Sequence, residues 1–351
     1  MAPSPQSKRK STPLALSPSR VHLSVLKQTP QKLHYDGGEL GPWRRKLRRK
    51  LRELIRPPVY DGALKVRTLW KRDHPLGTIE KIAFRAEPHA DVVAYWCVPA
   101  DAQPPYLTFI CLQGHSTGMH NSIAVLQEDE TKPKKVAGDR DFAIGCMKRG
   151  IAALCIEQRS FGERGEKDLA MVSEYNTCHD AAVHALMLGR TLLGERILDV
   201  DRGIDYLAQR GDVDMKRLGC MGNSGGGTTT MYAAALLDRI QAIIPSCCVA
   251  KYADSIMSIY HCGCNCVPGI VQYADMDDVI GLFAPKPCVI VSGKDDEIFP
   301  VRSARRSAAD LKRIYKTFGG EQNFRHVIGP EGHRFYADLA WDAMLPMLEK
   351  Q

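Results

Sequence analysis

The chain has 351 residues, of which 44% are hydrophobic and 25% are charged, and it carries a formal net charge of +8. These proportions are typical of a folded protein and exclude a fully disordered or collagen-like chain. No apolar run approaches the ~20 residues that cross a bilayer, and no apolar block near the N-terminus resembles a secretory signal. We therefore expect a cytoplasmic protein without a membrane span.

The positive charge is concentrated near the N-terminus. Residues 1–56 contain 14 Lys and Arg against 3 Asp and Glu, which leaves 34 basic and 37 acidic residues in the rest of the chain. Because the rest is nearly neutral, nucleic acid is not an expected partner. Residues 1–40, rich in Ser, Pro and Lys, are predicted to form a disordered or loosely ordered basic arm. This arm is a solvated tail, a contact for phosphate or a membrane surface, or a contact in a homo-oligomer.

An amphipathic helix is predicted over residues 43–56, at the start of a domain that spans residues 41–351. Large apolar residues recur there at helical spacing between arginines and lysines, and two prolines follow. The apolar residues are Trp43, Leu47, Leu51, Leu54 and Ile55. This stripe needs a partner surface, which we expect on the main domain.

The remaining pattern predicts an α/β fold. Strand-like runs over 79–85 and 92–98 indicate an antiparallel pair. After residue 106, short apolar runs without polar alternation are interspersed with helical segments, which is typical of strands covered on both faces. The runs cover 107–112, 151–156, 217–221, 242–244, 288–291 and 324–328, and the helical segments lie near 140–149, 195–209, 227–237, 302–317 and 335–348. We expect a mostly parallel central sheet with helices on both faces.

The twelve cysteines divide into two groups. Several lie inside the apolar runs and are predicted to be reduced, buried side chains. The segment from His261 to Cys266 instead has the residue types of a zinc site. Its CxCxC spacing is tighter than a usual knuckle, and a structural zinc site normally takes ligands from two separated segments, so we expect no metal here.

The strongest chemical signal is the Gly222-Asn223-Ser224-Gly225-Gly226 segment, which lies between a predicted strand and a predicted helix. This is the G-x-S-x-G pattern in its strand-turn-helix context. Glycines next to the serine allow strand and helix to pack closely while the hydroxyl projects from the sheet. Ser224 is therefore a candidate nucleophile.

A serine nucleophile needs a base and an acid that orients the base. Asp295 and Asp296 follow the predicted strand 288–291, and His333 follows the strand 324–328. Both positions are at carboxyl ends of strands, where ligands bind in open α/β sheets. The order Ser, Asp, His is that of the α/β-hydrolases.

These segments resemble the α/β-hydrolase superfamily, in particular its acetyl xylan esterase and dienelactone hydrolase-like branch. The resemblance covers roughly residues 43–350 and implies an α/β-hydrolase fold. It also implies Ser224 as nucleophile, His333 as general base and Asp296 as acid, because the family's acid commonly stands four residues before a proline. Asp295 remains an alternative acid.

The resemblance further implies an oxyanion hole. Its donors are the backbone N–H of Gly225 and that of His115, with Ser116 as the less favoured alternative to His115. Related sequences have His-Gly-x at this turn, whereas this chain has Gln113-Gly114-His115.

Three further residues are candidate substrate contacts. Arg159 resembles the arginine of the family's D-x-R-G-x-G segment; a structural role, in which it ties loops together by charge-assisted hydrogen bonds, is favoured, and substrate contact is the alternative. Residues 251–275 lie where this fold inserts lids, so Asn265 and Cys264 are expected to face the substrate.

We therefore expect a serine hydrolase that cleaves carboxylic esters of small acyl groups, with an acetyl ester of a carbohydrate or small molecule favoured by the resemblance alone. The same triad serves peptidases and thioesterases, and a non-catalytic binding protein on a hydrolase scaffold is a third alternative. No cofactor is expected.

Overall fold

A single mixed sheet organises the fold. The computed structural model describes residues 14–167 and 177–350. The strands in these ranges are β1 (Arg67–His74), β2 (Gly77–Glu87), β3 (Ala90–Pro99), β4 (Thr108–Leu112), β5 (Ala152–Ile156), β6 (Gly219–Asn223), β7 (Ala242–Ser246), β8 (Cys288–Gly293) and β9 (Phe324–Gly329). Their order in the sheet is β1-β2-β3-β5-β4-β6-β7-β8-β9.

The direction of the strands changes at β5. β1, β2, β3 and β5 pair antiparallel in turn, and every pair from β5 to β9 is parallel. Every residue of β4, β5, β6, β7 and β8 is buried. Burial on both faces explains why these strands are continuous apolar runs in the sequence. The predicted mostly parallel sheet is confirmed.

Helices cover both faces of the sheet. In the described ranges they are α1 (Pro18–Gln28), α2 (Leu40–Ile55), α3 (Phe142–Met147), α4 (Thr177–Met187), α5 (Leu192–Arg210), α6 (Gly225–Leu236), α7 (Met276–Gly281), α8 (Val301–Thr317) and α9 (Ala337–Leu348). One core cluster joins the sheet to α2, α5, α6, α7 and α8, and a second joins it to α3 and α9. None of the described helices is both long enough and apolar enough to cross a bilayer.

The N-terminal segment is more ordered than the sequence predicts. Residues 1–13 of the predicted arm lie outside the described residues. The rest includes α1, which has no buried residue, and a docked stretch after it. There Leu33 N–H donates to the carbonyl of Tyr273 at 2.7 Å, and His34 Nδ1 lies 3.0 Å from the buried Asp278 carboxylate. The prediction of a loosely ordered arm up to residue 40 is therefore wrong for the stretch around Leu33 and His34, because hydrogen bonds to the domain hold it in place.

The predicted amphipathic helix corresponds to α2. Trp43, Leu47 and Leu51 are buried, in agreement with the predicted apolar stripe. Its arginines also point to the domain: Arg48 donates to the carbonyl of Ala235 at 3.0 Å and Arg52 to that of Leu236 at 3.3 Å. Both carbonyls belong to the last turn of α6, where a helix lacks internal donors and favours positive charge.

The predicted lid over residues 251–275 is instead packed against the domain. It contains only single turns of 3-10 helix. Tyr252, Val267 and Ile270 join the main core cluster, and Cys264 is buried in a smaller one. Because its apolar side chains are buried, the segment forms a fixed wall of the domain rather than a separate lid.

Candidate active site

The turn at Ser224 connects β6 to α6. Ser224 has φ 56° and ψ −121°, a conformation that L-residues rarely adopt. Its backbone N–H donates to the carbonyl of Ser246 at the end of β7, at 2.8 Å. A Cβ on Gly226 would lie 2.0 Å from the carbonyl oxygen of Leu112, so only glycine fits there. The strained turn is thus held by the sheet and has the form of a nucleophile elbow.

An acid and a base lie together at the same edge of the sheet. The Oδ2 atom of Asp296 lies 2.9 Å from Nδ1 of His333. The Oδ1 atom of Asp296 accepts the backbone N–H groups of Ile298 and Phe299 at 2.9 and 3.0 Å. These contacts fix the carboxylate, and the carboxylate in turn orients the imidazole, as a triad requires.

The structure distinguishes the two neighbouring aspartates. Asp296 is buried, whereas Asp295 is exposed. Burial alone would raise the pKa of Asp296, but the hydrogen bond and charge of His333, with the two backbone N–H donors, outweigh it and lower the pKa below its ordinary value. Asp296 is therefore ionised at neutral pH and is the aspartate that can serve the histidine.

Cys247 is a neighbour of this pair that sequence reasoning missed. One ligand atom from each of Cys247, Asp296 and His333 lies within 4.8 Å of the others, and the Cys247 thiol donates to the carbonyl of Arg334 at 3.1 Å. The available signal was its position directly after β7, since Asp296 follows β8 at the same edge. The ring of Phe299 stacks on His333 with 6.1 Å between centroids.

The turn after β4 approaches Ser224 closely. A Cβ on Gly114 would lie 3.0 Å from the Ser224 Cβ, and one on Gly225 would lie 2.9 Å from Nδ1 of His115. Gln113, which replaces the family's usual histidine, donates to the Ser122 hydroxyl at 2.8 Å and to the carbonyl of Arg140 at 2.7 Å. The turn is therefore supported by this glutamine and lies beside Ser224, where the oxyanion hole of a serine hydrolase would be.

Glu157 is a buried carboxyl group directly after β5. It accepts the backbone N–H of Met119 at 3.0 Å and that of Glu163 at 3.2 Å. Burial raises its pKa to about 8 in spite of these donors. Glu157 is consequently protonated at neutral pH and holds two loop segments together as a neutral group.

Arg159 lies in a buried ion-pair cluster. Its guanidinium contacts Glu87 at 2.8 Å, Glu195 at 3.2 Å and Asp199 at 3.0 Å. Its side chain is only 12% exposed. With its donors committed to these carboxylates, the geometry supports a structural role and not the substrate contact considered from the sequence.

Cys264 and Asn265 are both buried, with 1% and 2% of their surface exposed. Cys264 Sγ lies 3.0 Å from Nε2 of His115 and 3.3 Å from the Arg196 guanidinium. Cys264 therefore faces other protein groups, so the geometry does not support its expected contact with substrate. Asn265 Nδ2 has no hydrogen-bond acceptor among the described residues.

Cys264 is one of four residues that we call the thiol–imidazole cluster: His115, Cys178, Cys262 and Cys264. One ligand atom from each lies within 4.8 Å of the others. Hydrogen bonds from Cys178 and Cys262, together with the positive charge of Arg196, lower the pKa of Cys264 below its ordinary value. No local pattern in the sequence indicates Cys178, which is 84 residues away from Cys262, whose sulfur it contacts at 2.9 Å.

Part of the chain matches a family model, and most of it is similar to a known bacterial protein. The model of the prolyl oligopeptidase family (Peptidase_S9) matches residues 189–340. A Bacillus subtilis (strain 168) protein named "Putative hydrolase YtaP" is 23% identical over 274 residues, which is 77% of this chain and 87% of that protein.

Solved structures of esterases superpose on most of this chain. A "putative acetyl xylan esterase" from Bacteroides fragilis superposes with a TM-score of 0.74 at 15% identity, over 95% of this chain and 86% of that one. A glucuronoyl esterase from Solibacter usitatus superposes with a TM-score of 0.62 at 14% identity, over 92% of this chain and 98% of that one. The fold expected from the sequence is confirmed: the chain has the α/β-hydrolase fold.

Proposed function

We propose that the protein is a serine hydrolase that cleaves carboxylic esters of small acyl groups through an acyl-enzyme. The observation that carries the proposal is the hydrogen bond between Asp296 and His333 at the sheet edge where the strained turn presents Ser224. An acid fixed by backbone donors, a base bound to it and a serine on such a turn are the parts of a hydrolytic triad.

In this mechanism Ser224 attacks the ester carbonyl while His333 removes its proton. Asp296 holds the imidazole in the tautomer that keeps the proton on Nδ1 and stabilises the imidazolium that forms. The negative oxygen is bound by the backbone N–H groups of Gly225 and His115, each worth about 3 kcal/mol of transition-state stabilisation. His333 then protonates the leaving alcohol, and water hydrolyses the acyl-enzyme by the reverse sequence.

We favour an acetyl ester of a carbohydrate or small molecule as the substrate. Support comes from the structural neighbours, which are described as acetyl xylan and glucuronoyl esterases. Asn265 is our candidate for a polar substrate contact, because its buried amide nitrogen has no acceptor among the described residues and a ligand oxygen would supply one.

A peptidase or thioesterase is the second candidate. The prolyl oligopeptidase model, which matches residues 189–340, is the observation that favours a peptidase. Ester and amide hydrolysis use the same triad, so the difference must be measured.

A substrate panel with a covalent probe tests the proposal. A fluorophosphonate probe should label wild-type protein and not Ser224→Ala, because only an activated serine reacts. p-Nitrophenyl acetate should be turned over much faster than aminoacyl anilides. Absence of labelling together with absence of ester turnover would reject the catalytic proposal, and faster cleavage of the anilides would favour the peptidase.

The buried thiols and the exposed N-terminal helix bear on the compartment and the oligomeric state of the protein. We propose a cytoplasmic enzyme, which the many buried thiols in β3, β4, β5, β6 and β8 support, since such thiols stay reduced in that compartment. A homo-oligomer that uses the N-terminal segment is also proposed, and α1, which has no buried residue, is the surface that supports it.

A further inference from the structure

Three separated chain segments bring the thiol–imidazole cluster together. His115 follows β4, Cys178 lies in the first turn of α4, and Cys262 and Cys264 belong to the irregular segment before α7. The short distances are 2.9 Å between the Cys178 and Cys262 sulfurs and 3.0 Å between Cys264 Sγ and His115 Nε2. The expectation of no metal rests on the His261–Cys266 segment alone, which cannot join separated parts of the fold, whereas the folded chain brings ligands from three segments together.

We propose that the thiol–imidazole cluster binds one zinc ion, with His115, Cys178, Cys262 and Cys264 as its four ligands. Three cysteines and one histidine are a standard ligand set of structural zinc sites, and four protein ligands close the coordination sphere. Around a tetrahedral ion, sulfurs lie ~3.8 Å apart and a sulfur and an imidazole nitrogen ~3.6 Å apart. Small side-chain rotations that move each ligand atom by about 1 Å would therefore convert the observed cluster into a metal site.

The charge around the cluster matches a bound zinc ion. Zn²⁺ with three thiolates and a neutral imidazole carries a net charge of −1. Arg196, only 1% exposed, points its guanidinium at Cys264 Sγ and lies over the ring of Phe161. Its Nε and Nη2 donate to the carbonyl of Arg159 at 3.2 and 2.9 Å, which satisfies donors without supplying charge, so the anionic centre would supply the negative charge beside this buried arginine.

A disulfide between Cys178 and Cys262 is the competing interpretation. It would use only two of the four converging groups, and it would leave the contacts of Cys264 with His115 and Arg196 unexplained. A zinc ion uses all four groups. The two interpretations differ in metal content and in the oxidation state of the sulfurs.

Metal content is the primary test. Full-length protein, produced with zinc in the medium and purified under reducing conditions, should contain about one equivalent of zinc per chain. Cys264→Ser should lose most of the zinc. The matched control is Cys266→Ser, since Cys266 lies in the same motif but is exposed and outside the cluster, and this variant should retain the metal.

Cobalt substitution of the wild-type protein makes the test independent of variant folding. Co²⁺ should give the intense visible bands of a tetrahedral site together with thiolate-to-metal absorption. Less than about a tenth of an equivalent of zinc, a Cys178–Cys262 disulfide in freshly alkylated protein, or equal zinc loss in Cys264→Ser and Cys266→Ser would overturn the proposal.

The proposed zinc ion also has a consequence for catalysis, and only this consequence rests on the proposed function. Nδ1 of His115 approaches Gly225 while Nε2 faces the cluster, so the ion would hold the turn that supplies the second oxyanion donor. Removing zinc should lower kcat more than it raises KM, because transition-state contacts are lost. If the protein binds zinc but has no esterase activity, the metal-site proposal stands and the proposed function is rejected.

Discussion

Two groups of reactive side chains, the Asp296–His333 pair and the thiol–imidazole cluster, are held in place differently. Asp296 and His333 follow β8 and β9, and backbone N–H groups fix the carboxylate. The thiol–imidazole cluster draws on two irregular segments and the first turn of α4. Short loops after two neighbouring strands and their backbone N–H groups position the first group, whereas the second depends on side chains from three separated segments. Substitutions in the first should therefore remove chemistry and leave the fold intact.

Ser224→Ala should have the largest effect on activity. It removes the proposed nucleophile from a turn that backbone contacts hold, so kcat for ester hydrolysis should fall by about 10⁶. The melting temperature should not decrease, since alanine removes only one hydroxyl. Steady-state kinetics and thermal unfolding measure the two effects, and more than a few per cent residual turnover would contradict the assignment.

Asp296→Asn should cost roughly 10⁴ in kcat, because asparagine no longer fixes the tautomer of His333. Its remaining carbonyl oxygen still accepts the N–H groups of Ile298 and Phe299, so the fold should persist. Asp295→Asn is the matched control and should stay within a few-fold of wild type, because that side chain is exposed. The opposite ranking would make Asp295 the acid.

Gly225→Ala tests whether His115, a member of the thiol–imidazole cluster, also affects catalysis. The new Cβ would lie 2.9 Å from His115 Nδ1 and 3.4 Å from the ring of Phe161, so the imidazole must move. Since His115 carries the proposed oxyanion donor, kcat should fall by roughly 10². Gly263→Ala is the control: its Cβ would meet nothing within 4 Å, and kcat should stay within about twofold. Equal kcat values for the two variants would show that the position of His115 does not affect catalysis.

The last prediction concerns stability and not activity, namely the pH dependence of the free energy of unfolding. The pKa of Glu157 is about 8 in the folded protein against an ordinary value of 4.5, so the folded state binds more protons than the unfolded state between these values. The free energy of unfolding should consequently fall as pH rises through this window, by at most about 1.4 kcal/mol per unit. Urea unfolding at several pH values measures the slope. Glu157→Gln should flatten it, and an unchanged slope would assign it to another group.

The proximity of Asp296 and His333 was predictable because its signals are local. Each residue lies a few positions after an apolar run, and neighbouring parallel strands bring their carboxyl ends together. The strand β1 was not predicted, because most of its residues are exposed and its sequence therefore contains no apolar run.

The thiol–imidazole cluster was not predictable from spacing. Cys178 and Cys262 are 84 residues apart, and Cys264 and His115 are 149 residues apart. Such contacts depend on how loops cross the finished sheet, which periodicity does not encode. The docked residues after α1 escaped prediction similarly, because His34 is held by one buried carboxylate, that of Asp278, and not by an apolar stripe.

The contacts of α2 with the last turn of α6 have a consequence for truncation. α6 is a single rod with the Ser224 turn at its beginning and the carbonyls of Ala235 and Leu236, which receive Arg48 and Arg52, at its far end. A protease that detached α2 would leave those carbonyls without their cationic donors and loosen the rod from the end remote from substrate. Faster hydrogen exchange of the α6 amides after such cleavage, ahead of any change in the pocket itself, would be the sign of this long-range route.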